Sequence, residues 1–274
     1  MVEARRERLA QLIGQHRYLP IQELCRLLDI SEATARRDLA VLVREKKVTR
    51  TYGGALSEFN DRFPSFRERQ TRAARAKARL ARQALTLIQP GRTYFLDFGT
   101  TVFAVAEAFR EAPVAPVSIV TSNLPVGEVL SGIPGVRIFQ LAGELFQRQS
   151  VLIGEIAQKS LEFWHFDLVF LSAEAMNAEG IWNSQAEVVE QQKVVLRQAQ
   201  SAVFCLDASK LNRRAPHFLL PWDEVDTLIT DAPAARLKKA GIHLAEGQLL
   251  DARRAEQTDV DGADESQLLP VHIL

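Results

Sequence analysis

Apolar positions Leu9, Leu12 and Ile13 fall on one face of a helix over residues 3–13, with charged residues opposite. Gly14 offers a stop, residues 16–20 read as an extended link, and Ile21, Leu24, Leu27 and Leu28 resume helical spacing. Asp29 and Ile30 make a turn, and Ser31 can cap the next helix by accepting from one of its orphan N–H groups. In that helix, predicted from Ser31 to about Lys46, Ala35, Leu39 and Leu42 share a face and point into a small core. Ala33, Arg37, Ala40 and Arg44 then face away, with Thr34 and Arg36 on the flanks. Residues 48–56 read as a two-stranded hairpin turning at Gly53 and Gly54, with Arg50 and Tyr52 beside the turn.

Residues 58–66 are polar and aromatic with one proline and read as a linker. A single helix is predicted from Arg67 to Ile88, its apolar stripe formed by Ala73, Ala76, Leu80, Ala84 and Leu87, its bases, Lys77 among them, on other faces. From Thr93 short apolar runs alternate with helical patterns, which predicts an α/β domain with a largely parallel sheet. The strands expected are Thr93 to Leu96, Val117 to Val120, Val136 to Gln140, Leu168 to Leu171, Ala202 to Leu206 and Thr227 to Ile229. Helices are expected at Thr101 to Arg110, Pro125 to Leu130, Val151 to Phe163, Ala186 to Gln200 and Ala234 to Ala240. The resulting division is a small head over 1–57, a linker over 58–66, an α/β domain over 67–246 and a mobile tail over 247–274.

Composition changes this picture in one respect. The formal net charge is zero, yet residues up to Arg82 carry an excess of nine positive charges and the remainder an excess of nine negative ones. A basic head on an acidic body implies an anionic polymer as partner of the head alone. Hydrophobic content of 47% and the absence of a long apolar run argue against a membrane span, and the run MVEARRERLAQLI, with acids among its bases and no apolar stretch before a cleavage site, does not read as a secretory signal. Cys25 and Cys205 lie far apart in apolar contexts and read as free thiols of a cytoplasmic protein.

The outward face of the third helix has the chemistry of a major-groove reader. Its alanines permit close approach, and arginine can bond bidentately to guanine O6 and N7. In the α/β domain, ligands bind beyond the carboxyl ends of the strands. Those ends read Asp97-Phe98-Gly99-Thr100-Thr101, then Thr121-Ser122-Asn123, Ala142-Gly143-Glu144, Ser172-Ala173-Glu174 and Asp207-Ala208-Ser209-Lys210. Hydroxyls, a glycine and helix-opening amides at Gly99 to Thr101 suit a phosphate. Carboxylates and Asn123 suit sugar hydroxyls, and Lys210 supplies positive charge.

Two runs carry a family resemblance: Ser31-Glu-Ala-Thr34-Ala-Arg36-Arg37-Asp38-Leu39, and Lys47-Val-Thr-Arg50-Thr-Tyr-Gly53-Gly54-Ala55. They resemble the winged helix-turn-helix of DeoR-type bacterial transcription regulators, with Ala35 standing where that family usually has Ile or Val. The strand ends resemble the same family's effector domain, with Ser172-Ala173-Glu174-Ala175 in place of G-A-D-G, Asn183-Ser184 in place of a threonine-rich turn, and Ala142 for the first glycine of G-G-E. The resemblance implies a winged helix-turn-helix followed by a Rossmann-like α/β domain of the sugar-phosphate-isomerase type. It implies a repressor of a carbohydrate operon, released from double-stranded operator DNA by a phosphorylated sugar or polyol. Ser31, Ala33, Thr34, Arg36, Arg37, Arg44, Arg50 and Tyr52 are the expected DNA-binding residues. Asp97, Gly99, Thr100, Thr101, Thr121, Asn123, Gly143, Glu144, Glu174 and Lys210 are the expected effector-binding residues.

The rival reading is an isomerase-like enzyme fused to a DNA-binding module, with Lys210 and Asp97 as acid–base groups. It leaves the basic head unexplained, and no second carboxylate stands out as a dedicated base, Glu174 and Glu187 staying open for that role. His16, His165, His217, His243 and His272 are scattered without zinc spacing, and no Walker-type loop occurs, so neither metal nor cofactor is expected. One reading head per chain implies a homo-oligomer on a two-fold operator.

Overall fold

The computed structural model describes residues 2–16, 18–45, 47–51, 54–57 and 64–253. Helices α1 (Val2–His16), α2 (Ile21–Leu28) and α3 (Glu32–Arg44) pack around Leu9, Ile13, Leu24, Ala35, Leu39 and Leu42. The first helix runs past Gly14, which does not stop it. Strands β1 (Tyr18–Pro20), β2 (Val48–Thr51) and β3 (Gly54–Ser57) form one antiparallel sheet in the order β1-β3-β2. The hairpin expected from sequence therefore gains a third strand from the supposed link, Tyr18 opposite Leu56 and Pro20 opposite Gly54. Three residues are too few to show a period, and an edge position tolerates the missing proline donor.

Residues 58–63 of the expected linker lie outside the described residues, but its end belongs to a helix. Ser65 caps α4 (Phe66–Thr71) in a reciprocal box, its hydroxyl accepting from Glu68 N while Glu68 Oε2 accepts from Ser65 N at 2.7 Å. The single helix expected over 67–88 is two. Arg72 is extended and Ala73 takes φ +51° before α5 (Ala74–Leu85) begins. Every residue across the break is an adequate helix former, so tertiary contacts outweigh local propensity. Phe66 meets Phe103 edge-on at 5.3 Å, its backbone N donates to the Arg148 carbonyl at 2.8 Å, and Lys77 Nζ reaches back to the Arg69 carbonyl.

The body is a seven-stranded parallel sheet, built from β4 (Thr93–Leu96), β5 (Val117–Thr121), β6 (Val136–Gln140), β9 (Leu168–Leu171), β12 (Ala202–Cys205), β14 (Thr227–Thr230) and β15 (Leu249–Asp251). Their order is β15-β14-β12-β9-β4-β5-β6. The alternation of side chains along each strand feeds two cores. Tyr94, Leu96 and Ile119 pack against α5, α6 (Thr100–Glu111) and α7 (Leu124–Leu130), whereas Phe95, Val120 and Phe204 pack on the side of α8 (Glu155–Leu161), α9 (Ala186–Arg197) and α10 (Ala234–Lys239). Among the described residues no helix is long and apolar enough to cross a membrane.

Two predicted spans change character. Of the helix expected over 151–163, Val151–Ile153 is strand β8, paired antiparallel with β7 (Glu144–Phe146), and only Glu155–Leu161 is helical. Val151 and Ile153, both β-branched, suit the hairpin better than a helix. The tail begins inside the sheet, since residues 249–251 form the edge strand; residues 254–274 lie outside the described residues. A small antiparallel sheet, β10 (Ala175–Asn177), β11 (Gly180–Asn183) and β13 (His217–Leu220), stands beyond the carboxyl end of β9. From β4 the chain moves outward through β5 and β6, then returns to β9 on the other side of β4. That reversal is the topological switch point at which open α/β sheets hold ligands.

Candidate functional site

Two surfaces carry the chemistry. On the head, the left-handed turn at Asp29 (φ +50°) separates α2 from α3. Ser31 Oγ accepts from Thr34 N at 3.3 Å and lies 2.9 Å from Thr34 Oγ1, so these two hydroxyls fix the start of α3. Ala33, Arg36, Arg37, Ala40 and Arg44 are exposed, while Ala35, Leu39 and Leu42 are buried. Arg36 pairs with Glu32 one turn earlier, and Arg37 Nε donates to the Ala33 carbonyl at 3.2 Å. Arg50 lies on β2 opposite Ala55; its side chain, Tyr52 and Gly53 fall outside the described residues. The sequence reading overlooked Asp38. It is 2% exposed and accepts from Arg5 Nε at 2.7 Å and Arg6 Nε at 2.9 Å. Burial pushes its carboxyl up, but the two guanidinium groups outweigh burial and hold it below the usual carboxylate range.

In the body, a cavity of about 310 Å³ opens at the switch point between β4 and β9. Its walls are Phe98 to Thr101 after β4, Ser172 to Glu174 after β9, and Asp207, Ser209 and Lys210 after β12. Gly99, at φ +100°, turns the chain into α6, whose first residues Thr100 and Thr101 are buried. The backbone N–H groups of such a turn favour an anion. Gly99, Thr100, Thr101, Glu174 and Lys210 are thus brought together as the strand-end pattern predicts. Five cationic side chains line the cavity, Arg69, Arg72, Lys77, Lys210 and Arg213, against the carboxylates of Glu174 and Asp207.

Four expected residues stand elsewhere, for identifiable reasons. The Thr121 hydroxyl donates to the Leu96 carbonyl at 2.6 Å and accepts from Asn123 N at 3.0 Å, so it joins β5 to β4. Asn123 is fully buried behind that turn, outside the cavity lining. Gly143 has φ +156°, and a Cβ there would lie 2.6 Å from the Ile153 carbonyl oxygen, so close packing of the β7–β8 hairpin requires glycine. Glu144 is exposed on that hairpin.

Asp97 lies one layer behind the cavity. Its Oδ2 accepts from Gln192 Nε2 at 2.7 Å, and Gln192 Oε1 accepts in turn from Asn183 Nδ2 at 2.7 Å. Asp97 is 1% exposed, and burial pushes its carboxyl up to about 7 despite the Gln192 hydrogen bond. Of the two groups considered for acid–base chemistry, Lys210 lines the cavity, together with Glu174, and Asp97 does not. Burial lowers Lys210 below the ordinary lysine value, with Asp207 and Glu174 opposing that effect.

Periodicity over 67–88 puts Lys77 off the apolar stripe. Instead it is 6% exposed, on the buried side of α5 with Leu80 and Ala84. Its Nζ donates to the Arg69 carbonyl at 2.5 Å and lies 3.5 Å from that of Gln70. Burial lowers its pKa to about 8, with Asp207 opposing and Lys210, Arg69 and Arg72 adding to the fall. The break at Ala73 folds Arg69 and Arg72 back over the same cavity, which no periodicity within one helix could disclose.

Comparison with known proteins fits both surfaces. Residues 5–60 match the family model described as a DeoR-like helix-turn-helix domain, and residues 72–232 match the DeoR C terminal sensor domain. The chain is 30% identical over 249 residues to the "Putative aga operon transcriptional repressor" of Escherichia coli O157:H7, covering 88% of this chain and 92% of that protein. It is 30% identical over 233 residues to the "Lactose phosphotransferase system repressor" of Streptococcus mutans serotype c, covering 84% and 92%. Identity is 28% over 226 residues to the "Glycerol-3-phosphate regulon repressor" of a second Escherichia coli strain, covering 82% and 89%. Among solved structures, ribose 5 phosphate isomerase A from Neisseria gonorrhoeae aligns over 49% of this chain and 52% of its own, at 16% identity and a TM-score of 0.34. So shallow a likeness carries nothing about activity.

Proposed function

The chain belongs to the DeoR family of transcriptional regulators, and from that premise we propose that it represses a sugar- or polyol-use operon and leaves its operator when a phosphorylated sugar or polyol fills the cavity. The charge of the cavity carries this reading: five cations against two carboxylates around the start of α6. A phosphate dianion offsets that excess with charge-assisted hydrogen bonds, which a neutral sugar cannot do. The volume, about 310 Å³, is at the small end for ligand pockets and suits a compact phosphorylated molecule. The relatives' names, an aga operon, a glycerol-3-phosphate regulon and a lactose phosphotransferase system, point to the same chemistry.

On the DNA side, the small residues Ala33 and Ala40 let α3 approach the major groove, where Arg37 reads base edges. Ser31, Thr34, Arg36, Arg44, Arg50 and Tyr52 contact the backbone and set the register. A second copy supplies the other half-site. The reading as a sensor and not a catalyst rests on the relatives, which are named as repressors. Differential affinity for DNA-competent and incompetent arrangements supplies the switch.

The test is a thermal-shift screen of phosphorylated sugars and polyols against their unphosphorylated parents, followed by operator binding with each hit. Phosphorylated ligands alone should raise the melting temperature and release DNA. Equal DNA affinity with and without every such compound would remove the effector part of this reading, and turnover of ribose 5-phosphate abolished by Lys210→Ala would replace it with the enzyme.

A further inference from the structure

The carbonyl of Arg69, near the end of α4, is the meeting point of two cavity-lining donors. Lys77 Nζ, from α5, donates to it at 2.5 Å, and Thr100 Oγ1, from the first turn of α6, donates to it at 3.4 Å. Both side chains are buried, at 6% exposure each, and both line the cavity. Helix α4 in turn follows the segment that leads out of the head. It is fastened at its other end by Phe66, whose N–H bonds the Arg148 carbonyl and whose ring meets Phe103 of α6.

We infer that Lys77 and Thr100 are ligands of the effector's phosphate, and that the ligand-free protein lends the same two donors to the Arg69 carbonyl, so that anion binding and the anchoring of α4 compete. This rests on the proposed reading of the cavity as a phosphate site. The physical basis is exchange of acceptors. An ammonium bonded to a neutral carbonyl gains more from a phosphate oxygen, since both partners are then charged. A hydroxyl at the start of a helix makes the same exchange, where the local N–H groups already favour an anion.

Once both donors turn to the anion, the Arg69 carbonyl loses its two side-chain donors and keeps the Arg72 N–H, at 3.2 Å. The short helix α4 then loses its hold at the break where Ala73 takes its left-handed conformation. The head is thereby coupled to the cavity through one carbonyl and not through movement of the sheet. A neutral polyol in the same cavity has no anionic oxygen with which to compete for Lys77, which gives a reason for phosphorylation to be the signal.

Amide hydrogen exchange on the full chain tests this, using inorganic phosphate as the probe and chloride at matched ionic strength as the control. Phosphate should slow exchange over residues 98–103 and speed it over residues 69–73 by about tenfold, as local opening there becomes easier. Lys77→Met should weaken phosphate binding roughly ten- to a hundredfold and leave 69–73 fast with or without phosphate. Thr100→Val, nearly isosteric, should show a smaller change of the same sign and guards against a folding defect in the first variant. Slowing over 98–103 with no change over 69–73 in the wild type overturns the competition and leaves the anion site standing. No change in either segment at saturating phosphate overturns both.

Discussion

Arg5 Nε donates to Asp38 Oδ2 at 2.7 Å, joining the first helix of the head to the middle of its reading helix across 33 residues of chain. Arg6 takes the other carboxylate oxygen at 2.9 Å, so the one acid in the Arg36-Arg37-Asp38-Leu39 run faces inward while its arginines face out. The buried acid ties α3 to α1 and leaves no carboxylate of this run on the outer face of α3.

The two ends of this cluster should respond unequally to mutation. The arginine side chains are 31% and 32% exposed and the aspartate side chain 3%. Removing Asp38 lets two arginines return to water, so Asp38→Ala should cost about 1–2 kcal/mol of head stability. Replacing both Arg5 and Arg6 by Gln leaves a carboxylate without its charged partners and should cost more. Urea midpoints of the three proteins give the order, and an equal or reversed loss would show that the carboxylate is not the constrained partner.

Arg37 and Arg50 should differ in kind. Arg37→Ala should cost about 1–3 kcal/mol at the operator and flatten preference at one base position. Arg50→Ala should weaken all sequences alike and reduce the slope of log affinity against log salt by about one unit. Anisotropy titrations at several salt concentrations, on operator and single-base variants, separate the two. A uniform loss for Arg37→Ala would contradict its assignment to the bases.

Asp97 makes stability pH-dependent with a definite sign. Its folded pKa of about 7 lies above the ordinary value of 3.8, so its contribution is fully present below about 4 and is lost as pH rises through about 7. Across that window this group lowers stability by up to about 1.4 kcal/mol per pH unit. Asp97→Asn should therefore flatten the pH profile of the urea midpoint between 4 and 7 relative to the wild type. Parallel profiles would mean that Asp97 stays ionised in its pocket.

Lys77 gives the cavity its own pH response. With a pKa near 8 it is partly uncharged above that pH when the cavity is empty, and a bound anion raises it again. Arg69, Arg72, Lys210 and Arg213 also face the cavity, as do Asp207 and Glu174. Sulfate keeps its charge over this range, so its affinity should fall by up to about fivefold between pH 8 and 9, with proton uptake measurable by calorimetry in two buffers. Lys77→Met should bind sulfate weakly with a flat profile in this window. An unchanged slope in that variant would move the titration to another group.

Sequence alone went far where structure is local or periodic. The six strands and most helices of the parallel body follow from apolar runs of the right length, and the cap at Ser31 and the buried stripe Ala35, Leu39 and Leu42 follow from helical spacing. Strand-end position also carried Gly99, Thr100, Thr101, Glu174 and Lys210 to one cavity, because a parallel sheet puts the carboxyl ends of its strands on one side.

Tertiary structure decided the rest, for the reason that the deciding partner is distant in the chain. Pairing with Leu56, and not any pattern of its own, makes Tyr18 part of a strand. The Thr121 hydroxyl and the Gly143 backbone look like ligand groups in sequence but are used by Leu96 and Ile153, which only the packed sheet brings near. Lys77 falls off the stripe expected for a single helix, and the break at Ala73, after an α4 that Phe66 fastens to Phe103 and Arg148, turns it inward with Arg69 and Arg72. Amino-acid order thus set the elements and the polar residues at their ends. Packing determined which of those residues face the cavity, and added from α4 and α5 the positive charge on which the proposed anion site rests.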